Sequence, residues 1–183
     1  SPSTVDVAYA GEIAFIQTGA GTNYWAAGNP YTSALVDNAP PGNDIIALSS
    51  ASSKMLTFSK PIDNLFFAVV SLNGNGYSFN QDFEVVSFGC GFWGCGSLTK
   101  TNPSLGVFQL NGSGEPHGVI RFTGVVSSIT WTSLTNENWN GFTIGTYGLA
   151  PPPPPPSNVP EPATVLLLGT GLLSLVALRH RKS

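Results

Sequence analysis

The body of this chain holds few groups that could carry chemistry. Its histidine, His117, sits in Gly114-Glu115-Pro116-His117-Gly118 beside a candidate acid, Glu115. Such a pair can pass a proton, but no Gly-x-Ser-x-Gly elbow or His-Glu-x-x-His helix accompanies it. His117 therefore reads as a turn histidine bonded to backbone. Glycoside hydrolysis needs two carboxylates at a fixed separation, and Asp63, Asp82, Glu84 and Glu137 are available; the sequence gives no separation, and an enzyme is not expected. Binding is better supplied. Sugar rings stack on tryptophan faces while Asn, Ser and Thr hydrogen-bond their hydroxyls. Trp25, in Asn23-Tyr24-Trp25, and Trp139, in Asn136-Glu137-Asn138-Trp139-Asn140, lie in polar surroundings and are candidate glycan contacts. Trp93, inside Cys90-Gly91-Phe92-Trp93-Gly94-Cys95, is a candidate displayed tip. For each of the three, a plain packing role competes with the binding role. No cofactor is expected. Loop oxygens of Asp37-Asn38 and Asn43-Asp44 are the one source of a structural calcium site, without an EF-hand pattern. A zinc site would need two more soft ligands than Cys90 and Cys95, and His117 and His180 are the only histidines.

The elements that must position these residues are strands. Of 183 residues only 17 are charged, while Gly (21) and Pro (15) are abundant, which argues for a turn-rich β domain and against helical bundles. Period-two alternation marks half-buried strands at 54–59, 126–133 and 141–148, with Leu56 and Phe58, Ile129 and Trp131, and Phe142 and Ile144 as inward pairs. Continuous apolar runs at 65–70 and 83–88 predict central strands, and Asn-Gly pairs at 73–74, 75–76, 111–112 and 140–141 predict tight turns. Together these predict an all-β, two-sheet sandwich over residues 1–150. That body holds four basic and nine acidic residues, so nucleic-acid binding is disfavoured.

The end of the chain has a different character. Six prolines, Pro151 to Pro156, predict a polyproline II rod of about 19 Å within a linker over 151–158. After Val159-Pro160-Glu161-Pro162 an uncharged apolar run covers residues 163–178, about 24 Å as a helix against ~30 Å of bilayer hydrocarbon. Pro162 suits a first helical position and Glu161 the positive helix start. Arg179, Arg181 and Lys182 follow the last apolar residue; they can snorkel and imply a cytoplasmic C-terminus. On these physical grounds an unprocessed tail anchor is an alternative to a processed one.

Residues 159–183 resemble the PEP-CTERM sorting signal of bacterial surface proteins, with motif, helix and basic cluster in that family's order. The resemblance implies that an exosortase recognises Pro160, Glu161 and Pro162 and removes the tail, so this protein is the substrate of that reaction. It further implies a Gram-negative, exopolysaccharide-producing host, an inner-membrane-anchored precursor, and a final place at the cell surface or in the extracellular matrix. More loosely, 56–62, 118–124, 129–131 and 139–145 resemble jelly-roll-like ectodomains of such proteins. In an oxidising compartment Cys90 and Cys95 read as a disulfide clamping a turn, with free thiols as the alternative. An exported precursor is expected to begin with a basic, apolar leader; Ser1-Pro2-Ser3-Thr4-Val5-Asp6 is not one, and either a removed leader or a fragment edge accounts for this. The expectation is thus a non-catalytic binding or structural module on a sorting tail, with an exopolysaccharide-binding lectin-like domain or a glycan-active hydrolase as alternatives.

Overall fold

A computed structural model describes residues 4–26, 29–42 and 44–149. The chain separates into two units, Ser1–Pro151 and Pro152–Ser183, and all described residues lie in the first. The proline linker, the sorting motif Val159 to Pro162, the helix at 163–178 and the basic Arg179, Arg181 and Lys182 lie outside the described residues. Among those described, no helix is long and apolar enough to cross a membrane.

The body is all-β. Among the described residues eleven strands form one antiparallel hydrogen-bonded network: β1 (Val7–Ala10), β2 (Phe15–Gln17), β3 (Ile45–Leu48), β4 (Ser53–Val70), β5 (Gly76–Phe79), β6 (Phe83–Gly89), β7 (Gly96–Ser104), β8 (Val107–Gly114), β9 (His117–Phe122), β10 (Val125–Ser133) and β11 (Asn140–Leu149). The main path runs β2-β3-β11-β4-β10-β5-β8-β7, with β1 and β9 also paired to β4, and β6 to β9. The two runs expected as separate strands, 54–59 and 65–70, are halves of one 18-residue strand, β4.

A break in β4 explains why one strand can serve so many partners. Val126 of β10 pairs with Ile62, yet Ser128 pairs with Thr57, so residues 58–61 of β4 are looped out of that ladder. Pro61, which lacks a backbone donor, falls inside this bulge, where a proline costs least. The first half of β4 pairs with β1 and β10, the second with β11 and β9.

Burial follows the two sequence patterns. In the first half Lys54, Leu56 and Phe58 are buried and alternate with exposed Ser53, Met55 and Thr57. From Leu65 to Val70 the strand is apolar throughout because both of its faces are covered. Leu65, Phe67 and Val69 enter the main core, where Phe67 stacks on Phe142 at 4.8 Å and meets Trp131 edge-on at 5.5 Å. Ala68 and Val70 point the other way, into a second cluster with Trp25, Tyr31, Ile45 and Val119.

Several expectations are corrected. Trp25 is only 2% exposed; the outward face of β4 needs an apolar cover, and Trp25 supplies it, its Nε1 donating to the Asp44 carbonyl at 3.1 Å. The run at 83–88 is not central, since β6 pairs with β9 alone and a bulge between Val85 and Ser87 disturbs its register. Of the Asn-Gly pairs, Asn73-Gly74 makes a turn with Gly74 at φ 59°, whereas Gly112 lies within β8. A Cβ on Gly112 would come within 2.2 Å of the Leu72 carbonyl oxygen, so close backbone approach, not positive φ, requires glycine there.

Candidate functional site

Where the second cluster reaches solvent, it ends in an aromatic rim. Phe15, Tyr24 and Trp139 are half-buried, and Phe92 and Trp93 project from the loop between β6 and β7, Trp93 being 54% exposed. The rings brace one another: Tyr24 lies 6.4 Å from Trp93 at 27°, and Trp139 meets Tyr24 at 5.1 Å, Phe15 at 5.1 Å and Trp93 at 6.2 Å, all edge-on. Beside the rim opens a cleft of about 290 Å³ lined by Ser71, Asn73, Trp93, Glu115, Glu137, Asn138 and Trp139. Trp93 and Trp139 of the sequence candidates are thus brought together; Trp25 is not among them.

Four loops, remote from each other in the chain, build this cleft. Cys90 and Cys95 are joined by a disulfide, with an S–S distance of 2.04 Å, and the Gly91 amide donates to the Gly94 carbonyl at 2.8 Å. The loop carrying Trp93 is therefore closed covalently and by backbone. It is also tied to the second loop, because the Glu115 amide donates to the Cys95 carbonyl at 2.9 Å. The Glu115 carboxylate accepts from the Ser71 hydroxyl at 2.7 Å. Ser71 follows β4 directly and holds φ 57°, a conformation that non-glycine residues seldom adopt and that sets it under Glu115.

The loop 134–139 carries Glu137 and Trp139, and a buried amide fixes it. Asn75 Oδ1 accepts from the amides of Gly76 and Thr135, at 2.8 and 2.9 Å, while its Nδ2 donates to the Thr135 carbonyl and to Glu137 Oε1, at 3.0 and 2.6 Å. Asn140 donates to the same Glu137 oxygen and accepts from the Tyr77 hydroxyl. Burial pushes the Glu137 carboxyl above the ordinary range; the amide donors of Asn75 and Asn140 oppose this, and the charge of Glu115 adds to it. Among the described residues the second carboxylate oxygen of each Glu has no hydrogen bond, which leaves an acceptor on each side for a ligand. Among the described residues no Lys or Arg lines the cleft.

The Glu115–His117 pair does not form. Glu115 turns to Ser71, whereas His117 opens β9, is completely buried, and shares a hydrogen bond of 2.9 Å between Nδ1 and the Tyr31 hydroxyl; it is not a turn histidine bonded to backbone. Its Nε2 is buried without a partner among the described residues, and burial lowers its pKa to about 4. The ring packs under the disulfide loop, so that a Cβ on Gly91 would lie 2.1 Å from it. The other acids weighed for hydrolysis are elsewhere: Asp82 is paired with Lys100, Glu84 with Arg121 at 2.6 Å, and Asp63 sits in β4. Among the described residues no three His, Cys, Asp or Glu converge as a metal site.

Ser71 and Asn75 have no feature in the sequence that marks them as site residues, whereas Asn138 and Asn140 belong to the polar surroundings of Trp139.

In class, then, the described unit is an all-β domain with an aromatic and acidic surface cleft. Comparison with known proteins adds the tail: residues 158–182 match the family model of the PEP-CTERM protein-sorting motif, so the chain carries an exosortase-targeted sorting signal and is an exported bacterial protein. No curated protein matches the chain, and no solved structure does.

Proposed function

We propose that this protein is delivered to the cell surface or extracellular matrix of a Gram-negative bacterium and there binds exopolysaccharide through the cleft between Trp93 and Trp139. The precursor is held in the inner membrane by the helix over residues 163–178, with Arg179, Arg181 and Lys182 on the cytoplasmic side. Exosortase reads Pro160, Glu161 and Pro162 and removes the tail. The body is a two-layer sandwich whose halves share β4; contact of Phe67, in the second half of that strand, with Trp131 of β10, which pairs with Lys54 in the first half, supports that reading. It acts as a non-catalytic module and needs no metal.

The observation that carries the binding assignment is the pairing of two accessible tryptophans with Ser71, Asn73, Asn138 and two carboxylates around one cleft. Aromatic faces supply apolar stacking for the C–H side of a sugar ring, and the polar rim reads its hydroxyls. At about 290 Å³ the cleft matches the smallest ligand sites, roughly 300 Å³, so it would take one ring of a longer chain. Glu115 and Glu137 are each held by donors as fixed acceptors, which favours recognition over proton transfer.

Two experiments test the halves of this proposal. Expression of wild type and Glu161→Ala in an exosortase-positive host should give different mature C-terminal masses; equal masses would refute processing at this motif. Calorimetric titration of the full chain in mild detergent with the host's isolated exopolysaccharide should saturate, with and without a chelator, and Trp139→Ala should abolish the heat. A flat wild-type titration would refute the binding role.

A further inference from the structure

We infer that the sugar this cleft prefers carries a free amine, as in a deacetylated hexosamine polymer, and that acidic glycans are excluded. The inference rests on the reading of the cleft as a glycan site and specifies the ligand's charge. Three of the four basic residues of the body are already neutralised: Lys54 by Glu12 at 3.5 Å, Lys100 by Asp82 and Arg121 by Glu84. Among the described residues neither these three nor the fourth, Lys60 of β4, lines the cleft, whereas Glu115 and Glu137 both do, each with one oxygen not hydrogen-bonded. The field at the cleft is therefore negative.

A ligand entering it meets two indole faces and two carboxylates. That combination suits an ammonium group twice over. Its charge is attracted to the face of Trp93 or Trp139, and its N–H donors make charge-assisted hydrogen bonds to carboxylate. A uronate or a sulfated or phosphorylated sugar would instead set like charge against Glu115 and Glu137 with no cation to relieve it, which is discrimination by repulsion. A neutral N-acetylated sugar keeps the stacking and loses the charge contribution. The pattern thus orders three ligand classes: amine first, neutral second, acidic last.

The test uses the full chain in mild detergent at low salt, titrated with a glucosamine hexamer, its fully N-acetylated counterpart and a mannuronate hexamer. The glucosamine hexamer should bind about tenfold more tightly than the acetylated one, equivalent to about 1.4 kcal/mol. Glu115→Gln, which preserves shape and an acceptor for Ser71, should reduce that ratio toward one, and added salt should do the same. Trp93→Ala should remove binding of both while the circular dichroism spectrum stays unchanged. Equal affinity for the two hexosamine oligomers, both lost in Trp93→Ala, would overturn the amine preference and leave the glycan reading standing. Tightest binding of mannuronate would overturn it likewise. Absence of binding by all three and by the host polysaccharide would overturn both.

Discussion

The molecule uses aromatic side chains in two regions built on different principles. Around Phe67, Trp131, Phe79, Phe122 and Phe142 the rings are contributed by strands, wholly buried, and packed edge-on or stacked within the main core. Around Trp93, Trp139, Tyr24 and Phe92 they are contributed by loops, and part of each face or edge meets solvent. The core needs no device beyond alternation of side chains along strands. The rim needs a disulfide, a buried Asn and a serine at positive φ to hold rings where no ladder holds them. Fixing exposed aromatics by such means is costly for stability alone, and it is the arrangement expected of a preorganised binding surface.

Substitutions should separate the two regions. The largest effect belongs to the core: Phe67→Ala should lower stability by about 3–5 kcal/mol by denaturant melting, because it removes a ring packed on several others. Next comes His117, which lies beneath the rim yet is completely buried. Its pKa is about 4 in the fold and about 6.5 when unfolded, so the unfolded chain binds the extra proton between these values. Stability should therefore fall as pH drops from about 6.5 to about 4, by up to about 3 kcal/mol. Replacement by Gln should flatten that slope in pH-dependent melts. Opposing it, Glu137 has a raised pKa and contributes a smaller stability that is present at low pH and declines as pH rises above the ordinary carboxylate value.

The disulfide sharpens the comparison from the rim side. Cys90→Ser with Cys95→Ser should cost about 2 kcal/mol by loop entropy, the closed loop being short. It should also weaken polysaccharide binding several-fold, because Trp93 is no longer held. Smallest in stability is Trp93→Ala, expected within about 0.5 kcal/mol of wild type in melts because the ring is 54% exposed. A large loss of stability there would mean that the rim is a second core rather than a surface.

How legible each region is in sequence follows from the same contrast. Period-two alternation exposes Leu56, Ile129, Trp131 and Phe142 as core residues, and all four are buried. The join of 54–59 to 65–70 in one strand is not legible, because Pro61 reads as a terminator until the bulge around it is known. Trp25 misleads for a related reason: polar neighbours in sequence say nothing about the apolar outer face of β4, contributed by Ala68 and Val70 far along the chain. Trp93 and Trp139 are recognisable singly, but their meeting depends on contacts such as Glu115 amide to Cys95 carbonyl and Asn75 to Glu137, which have no periodicity. The tail is the reverse case. Its signal is contiguous, from Val159 to the basic cluster, and needs no tertiary contact to be read.

The central claim is that the Trp93–Trp139 cleft binds polysaccharide. It is tested most directly by titrating the host's exopolysaccharide into the full chain alongside Trp93→Ala and Trp139→Ala, with melting curves on all three. Saturable binding by wild type that both variants lose, while Trp93→Ala melts as wild type does, is the predicted result. Undiminished binding by both variants, or no binding by wild type, would contradict it.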